Sequence, residues 1–238
     1  MAPDLRERRE DVTMATLTLH YYPGNASMAP HVLLEELGVP FELALVDRTQ
    51  GAHKRPEYLR LNPNGQIPVF IDARYASADG APLVLYESAA ICLHLADSFP
   101  HAGLAGAPGS AERAHLYKWL TWSTNTLQAA LMLYFYPERW VDEGDARAAA
   151  QLKSHAESKV GAMLLQLDTQ LASHDGDWLL GGRFSAVDPY ALMLGRWTRG
   201  FERPARGLPH LGPYLQRMLA RPSVQRALAT EQLAAPWV

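Results

Sequence analysis

The sequence predicts two domains, an α/β domain with the element order βαβ-ββα followed by an all-α domain. Short runs of alternating β-forming residues and amphipathic helices fill residues 15–98. Residues 99–109 are rich in Gly, Ala and Pro and have no hydrophobic periodicity, which is typical of a linker. Residues 110–238 show helical spacing of apolar residues and no strand pattern. A chain of 238 residues is long enough for both domains to bury a core.

Strand, helix and strand open the first domain. The run TLTLHY alternates as a short strand does and ends at a proline-glycine turn. A helix follows, with Ser27 as its expected N-cap and Gly38 at its end. The segment PFELALV predicts a second strand. Because a right-handed crossover joins the two strands, we expect them to be parallel.

Two more strands and a helix complete this domain. The segments GQIPVFID and PLVLYES are separated by a loop containing Asp79-Gly80, which predicts an antiparallel hairpin. The segment SAAICLHLADSF then predicts a helix. Cys92 lies on its apolar face and is therefore expected in the core rather than as a reactive thiol.

The second domain begins with two long predicted helices. One covers SAERAHLYKWLTWSTNTLQAALMLYFY and ends at Pro137, and the other covers DARAAAQLKSHAESKVGAMLLQLDTQLAS. A further helix in SAVDPYALMLGRWT begins with Ser185 three residues before Asp188. This spacing resembles a capping box, which contributes about 1 kcal/mol to stability.

Composition and charge narrow the functional class. Hydrophobic residues make up 48% of the chain, and no apolar run reaches the roughly 18 residues of a membrane span. The net charge is −3 and the basic residues are scattered, so we expect neither nucleic acid nor membrane as a partner. The single cysteine fits a cytoplasmic protein without disulfides or a Cys-based metal site. Residues 1–14 lack the apolar core of a signal peptide and are expected to be a disordered extension.

Four motifs resemble those of the cytosolic glutathione transferases, in the same order and spacing. The stretch YYPGNASMAPH resembles the beta-class bacterial pattern, and HKRPEYLRLNPNGQIP is similar to a phi- and theta-like pattern. The stretch YESAAI resembles the acid-serine pair that opens the family's third helix, and the Ser185 to Asp188 box resembles its folding signature. The resemblance implies a thioredoxin-like N-terminal domain, an all-α C-terminal helical bundle, and a homodimeric enzyme with glutathione as co-substrate and no metal.

The same resemblance implies where glutathione binds. Ile67-Pro68 resembles the family's cis-proline turn, whose free backbone groups pair with the cysteinyl part of glutathione. A trans proline at the start of a strand is the alternative. Glu87 and Ser88 would bind the γ-glutamyl ammonium and carboxylate at a helix N-terminus, a role compatible with ordinary capping.

Three residues of the second motif complete the implied binding site. His53 and Lys54 would reach the glycyl carboxylate by charge-assisted hydrogen bonds. The alternative is that both are solvated surface residues. Gln66 is similar to a side chain that contacts the glutathione backbone.

Activation of the thiol requires a donor beside a helix N-terminus. Lowering a thiol pKa of about 8.5 by two units requires about 2.7 kcal/mol. A helix N-terminus supplies up to about 1–2 kcal/mol and a hydrogen bond to a charged group about 1.5–3 kcal/mol. Ser27 is the first candidate donor, followed by Asn25 and then Tyr21. A purely structural N-cap is the alternative for Ser27, and Ala26 stands where beta-class members have a cysteine.

Two histidines and the second substrate remain to be placed. His31 mirrors a family position and is expected to be structural. His115 resembles a beta-class histidine that faces the catalytic turn, and a surface position is its alternative. Aromatic residues of the first long helix predict a hydrophobic electrophile as second substrate. A non-catalytic glutathione- or ligand-binding protein, a peroxidase and a dehalogenase remain alternative functions.

Overall fold

The computed structural model describes residues 16–238, so the prediction for residues 1–14 lies outside the described residues. Within them, the first domain consists of β1 (Leu17–Tyr21), α1 (Met28–Leu37), β2 (Glu42–Leu45), α2 (Pro56–Leu59), β3 (Val69–Ala76), β4 (Pro82–Tyr86) and α3 (Ser88–Ser98). The second domain consists of α4 (Ala111–Trp122), α5 (Ala129–Phe135), α6 (Ala146–Ala172), α7 (Val187–Trp197), α8 (Leu211–Leu219) and α9 (Pro222–Thr230).

The four strands form one mixed sheet in the order β2-β1-β3-β4. β1 pairs with β2 in parallel, and β3 is antiparallel to both β1 and β4. These pairings confirm the predicted βαβ unit and the hairpin. Helix α2 was not predicted, because its four residues carry a single buried side chain, Tyr58, and no apolar periodicity.

Helix α1 lies between the sheet and the second domain. It packs against α3 of its own domain and against α7 and α9 of the other domain. Its residues from Met28 to Leu34 are all buried. The turn that precedes α1 is therefore held where the two domains meet.

The first long helix of the second domain changes its geometry partway. α4 and α5 are joined without interruption by a π-helical segment, Ser123–Gln128, and α5 ends at Phe135 before a 3₁₀ turn that starts at Pro137. The predicted helix is therefore continuous and ends near Pro137, as expected. It is not α-helical throughout, because a π-helical segment lies within it. π-Helical segments are rare and occur often at functional sites.

The predicted pair Ser185 and Asp188 forms a buried hydrogen-bonded cluster. The Asp188 carboxylate accepts bonds from the Ser185 N–H at 2.7 Å and from the Ser185 hydroxyl at 3.0 Å. It also accepts bonds from the Leu179 N–H at 2.9 Å and from the Tyr214 hydroxyl at 2.8 Å. Burial raises the pKa of Asp188, and these four donated bonds oppose that rise. One carboxylate thus joins the preceding loop, α7 and α8.

Candidate active site

A groove runs between the two domains beside the turn before α1. Its larger part has a volume of about 400 Å³. A smaller part of about 190 Å³ continues from it. The two parts share five lining residues: Ala26, Gln66, Ile67, Gln128 and Met132. Because these walls are common to both parts, one extended ligand can occupy both.

The turn before α1 presents Asn25 and Ala26 to this groove. Asn25 lines the larger part, and Ala26 lines both parts. The side-chain oxygen of Asn25 accepts a hydrogen bond from the Ala26 N–H. Because the side-chain oxygen already accepts this bond, the oxygen is fixed in position. The amide nitrogen of Asn25 can then donate a hydrogen bond to a ligand in the groove.

Ser27 points away from the groove. Its side chain is fully buried, and its hydroxyl donates to the Tyr22 carbonyl at 3.2 Å and accepts from the Tyr22 N–H at 3.3 Å. Ser27 is the N-cap residue of α1, as predicted, but its side chain makes no capping bond to the helix. Tyr21 packs its ring against His31, with centroids 6.2 Å apart. Neither Ser27 nor Tyr21 is among the residues that line the groove.

The peptide bond between Ile67 and Pro68 is cis, which confirms the predicted turn. β3 pairs with β1 and β4 only from Val69 onward, so the Ile67 backbone lies beyond the end of the ladder. Both residues of the turn line the smaller part of the groove.

Two residues that sequence reasoning missed hold the loop before this turn. The Gln66 carbonyl accepts bonds from the Tyr58 hydroxyl at 2.7 Å and from the Asn62 amide nitrogen at 2.9 Å. The Gln66 side chain is exposed and lines both parts of the groove. Burial raises the pKa of Tyr58, which keeps its hydroxyl protonated as a donor.

Glu87 and Ser88 lie at the far end of the smaller part. Glu87 has φ of 72° and ψ of 108°, a backbone region that residues other than glycine seldom adopt and that is found often at functional sites. The Ser88 hydroxyl donates to the Ala26 carbonyl at 2.9 Å, which ties α3 to the turn before α1. Ser88 is also the first residue of α3, whose N-terminal N–H groups favour an anion.

His53 and Lys54 line the opposite end, in the larger part. Burial lowers the pKa of His53, and the positive charges of Lys54, Arg48 and Arg139 lower it further. Gly65 allows the chain to pass close to both residues. A Cβ on Gly65, where φ is 59°, would lie 2.9 Å from the His53 carbonyl oxygen and 3.0 Å from Lys54 Nζ.

The second domain forms the other wall of the groove. It contributes one amide, one apolar and three aromatic side chains and two arginines: Gln128, Met132, Phe135, Tyr136, Arg139, Trp197 and Arg199. Of the aromatic residues noted in the first long helix, Phe135 faces the groove, whereas Trp119 is buried in the core. Arg48 of the first domain crosses to this wall, where its Nη2 donates to the Tyr136 hydroxyl at 3.3 Å.

Residues from the second domain also hold the turn before α1. The Gly24 N–H donates to Glu231 Oε2 at 2.7 Å, and the Gly24 carbonyl accepts from Trp197 Nε1 at 3.1 Å. The other Glu231 oxygen lies 2.7 Å from His31 Nδ1, and both side chains are buried. His31 therefore has the structural role expected of it.

Two other predicted positions lie away from the groove. Cys92 is fully buried and burial raises its pKa, so it is the core residue expected from the sequence. His115 is exposed on α4 and does not line the groove. Within residues 16–238, no group of three or more His, Cys, Asp or Glu is placed to hold a metal ion. None of the helices described there is long and apolar enough to span a membrane.

Comparison with known proteins agrees with this architecture. The family model "Glutathione S-transferase, N-terminal domain" matches residues 15–97, and "Glutathione S-transferase, C-terminal domain" matches residues 123–222. Glutathione S-transferase GST-4.5 of Xanthomonas campestris pv. campestris is 31% identical over 91% of this chain and 100% of its own length. Glutathione S-transferase GstA of Escherichia coli O157:H7 is 32% identical, again over 91% and 100%.

A solved structure gives the same result. The glutathione S-transferase of a sphingomonad, complexed with glutathione, is 31% identical and has a TM-score of 0.74. The alignment covers 91% of this chain and 100% of that chain. The two family models and the relatives at 31% and 32% identity lead to one conclusion: the chain belongs to the glutathione S-transferase family.

Proposed function

We propose that this protein is a glutathione transferase that activates the glutathione thiol beside the turn before α1 for attack on an electrophile. The observation that carries this proposal is the order of groups along the groove. Glu87 and the first turn of α3 lie at one end, the Ile67 backbone lies in the middle, and His53 and Lys54 lie at the other end. This order matches the γ-glutamyl, cysteinyl and glycyl parts of glutathione.

The charges at the two ends fit the same orientation. Glu87 is the charged residue among those that line the smaller part, and it can pair with the γ-glutamyl ammonium. The N–H groups at the start of α3 can bind the adjacent carboxylate. At the other end, Lys54 and His53 are donors for the glycyl carboxylate. The solved sphingomonad relative is complexed with glutathione, which supports the same ligand here.

The position of the sulfur follows from this orientation. With the cysteinyl backbone against Ile67, the sulfur faces the shared wall at Ala26 and its neighbour Asn25. Asn25 has a free donor nitrogen at the groove, whereas the Ser27 hydroxyl is buried and bonded to Tyr22. We therefore propose Asn25, together with the N-terminus of α1, as the group that stabilises the thiolate.

Substitution of Asn25 tests this assignment. Asn25→Ala should raise the pKa of the bound thiol by about 1–2 units, because a hydrogen bond to a charged acceptor contributes about 1.5–3 kcal/mol. The pKa is measured from the ultraviolet absorbance of the thiolate of bound glutathione against pH.

Ser27→Ala is the matched control for that experiment. It should leave the pKa of the bound thiol unchanged and lower stability by about 1 kcal/mol through its lost bond to Tyr22. A shift in Ser27→Ala and none in Asn25→Ala would assign the sulfur to Ser27 instead. If bound glutathione titrates like the free tripeptide in the parent protein, the alternative of a non-catalytic binding protein is favoured.

A second prediction concerns the pH dependence of binding. In the free protein the pKa of His53 is lowered by burial and by three neighbouring cations, and a bound glycyl carboxylate would oppose that effect. Binding would then take up a proton, so affinity should rise as the pH falls. We expect a rise of roughly threefold to tenfold between about pH 7.5 and pH 5.5.

The ligand for this measurement is S-methylglutathione, which has no thiol to titrate. Calorimetry gives its dissociation constant at each pH. His53→Gln removes the titrating group and should give a constant affinity over the same range. An affinity that is flat or falls with acidification in the parent protein would contradict a role for His53 at the carboxylate.

A further inference from the structure

Arginine side chains surround the larger part of the groove, and no carboxylate side chain lines it. Arg48, Arg139 and Arg199 line it together with Lys54, and its lining residues include no Asp or Glu. In the part of the chain that the structure describes, none of these four cations forms a salt bridge. The cavity is therefore electropositive before any ligand enters.

Glutathione does not balance all of this charge. In the proposed orientation its ammonium pairs with Glu87, its γ-glutamyl carboxylate lies at α3, and its glycyl carboxylate lies at Lys54. Arg48 is already bonded to the Tyr136 hydroxyl, and its guanidinium lies 5.9 Å from the centroid of the Tyr22 ring. Arg139 and Arg199 remain as cations without an assigned partner.

Contacts with neighbouring groups hold these two arginines at the groove. The Arg139 guanidinium lies over the Tyr136 ring, 4.0 Å from its centroid. Arg199 donates from Nη1 to the Arg196 carbonyl at 3.1 Å, and it follows Trp197 by two residues. Each side chain keeps further N–H donors available, because a guanidinium has five.

The same wall offers a site for a flat ring. Phe135 and Trp197 meet edge to face, with centroids 6.2 Å apart, and Met132 also lines this wall. Trp197 is bonded to the carbonyl of Gly24, the residue before Asn25. An aromatic ligand against Trp197 would thus lie beside the proposed position of the sulfur.

We propose that the second substrate is an aromatic electrophile that carries a carboxylate or another anionic group. Its ring contacts Phe135 and Trp197, and its anionic group pairs with Arg139 and Arg199. This inference rests on the proposed function, because it assigns the remaining half of the groove to the partner of glutathione. The sequence predicted a hydrophobic electrophile, whereas the substrate proposed here also carries a negative charge.

The reaction used for the test is an aromatic substitution. The glutathione thiolate forms a bond from sulfur to the ring carbon that carries chlorine. Chloride then leaves with the bonding electron pair, and the thiol proton has passed to solvent. No oxidant or further reactant is needed.

Two matched substrates separate charge from shape. A chlorodinitrobenzoate and the corresponding chlorodinitrobenzamide differ in charge at one position of the ring. Each kcat/KM is divided by the rate constant of the uncatalysed reaction with glutathione. We expect the parent protein to favour the carboxylate over the amide by about tenfold, a preference that should weaken with added salt.

The double variant Arg139→Gln/Arg199→Gln should lower that preference to near one. Arg147→Gln, an exposed substitution on α6 outside the groove, is the matched control and should keep the preference. Equal use of the two substrates by the parent protein would overturn the inference. So would a preference that survives in the double variant.

A binding measurement makes the result independent of turnover. The glutathione conjugates of the two substrates are titrated by calorimetry, and the carboxylate conjugate should bind about tenfold more tightly than the amide. If glutathione binds and the two conjugates bind equally, the proposal of an anionic substrate is wrong, and the proposed glutathione transferase function is unaffected. If neither glutathione nor a conjugate binds, the proposed function fails first, and this inference fails with it.

Discussion

Asp188→Ala is expected to lower the free energy of unfolding by about 3–5 kcal/mol, a large share of the roughly 5–15 kcal/mol of a typical domain. The Asp188 side chain is fully buried and accepts hydrogen bonds from two N–H groups and two hydroxyls. Alanine leaves these donors buried without an acceptor, and each such group costs about 1–3 kcal/mol. The loss should appear as a lower denaturant midpoint in chemical unfolding.

Ser185→Ala is the control, because it removes only one of the four donors. The Ser185 N–H still reaches Asp188 at 2.7 Å, so a loss of about 1 kcal/mol is expected. Tyr214→Phe removes the hydroxyl on α8 and should also cost about 1 kcal/mol. If Asp188→Ala destabilises the protein no more than either single donor deletion, the carboxylate is not the centre of this cluster.

Much of the fold could be predicted because local patterns and nearby residues determine it. The alternation in TLTLHY and the glycine at position 38, which adopts the left-handed conformation, set the limits of the first strand and helix. The Ser185 to Asp188 spacing predicted a capping-box contact between these two residues, but not the burial of Asp188 or its bonds to Leu179 and Tyr214. Those partners lie elsewhere in the chain, and a local pattern does not encode them.

The sequence predicted two candidate donors at the turn before α1, Ser27 first and Asn25 second, and our proposal assigns the role to Asn25. The sequence placed Asn25, Ile67, Glu87 and His53 along one ligand, and the groove brings these positions together. It could not predict that the Ser27 hydroxyl would turn back to Tyr22, because a rotamer depends on tertiary packing. The arginines of the groove likewise come from segments that are far apart in sequence.

Glu231 is the clearest example of a residue that no local pattern identifies. It lies just after α9, 207 residues beyond Gly24, yet its side chain reaches the turn before α1. One carboxylate oxygen accepts from the Gly24 N–H, and the other lies 2.7 Å from His31 Nδ1. Asn25, which follows Gly24, is the residue that we propose to donate a hydrogen bond to the thiolate. The C-terminal segment therefore holds this residue in place.

Glu231→Ala is therefore expected to affect both stability and ligand binding. It leaves the His31 nitrogen and the Gly24 N–H without their partner, and each buried polar group left unpaired costs about 1–3 kcal/mol. The affinity for glutathione should fall by about tenfold, because the turn must then be ordered by the ligand itself. Chemical unfolding measures the first effect, and calorimetry at a temperature where the variant stays folded measures the second.

Two substitutions separate the role of the turn from a general loss of stability. Glu231→Gln keeps an acceptor for the Gly24 N–H, and its amide nitrogen can donate to His31 Nδ1 in the imidazole tautomer that carries its proton on Nε2, so most stability and affinity should remain. Trp197→Phe removes the bond to the Gly24 carbonyl while it keeps an aromatic ring in the groove wall, and the lost bond should lower stability by about 1 kcal/mol. If Glu231→Ala is destabilised but binds glutathione as the parent does, the turn is rigid without its anchor. The contacts of the second domain with this turn would then stabilise the fold without affecting glutathione binding. A turn that is rigid by itself needs no partner to hold Asn25 at the groove.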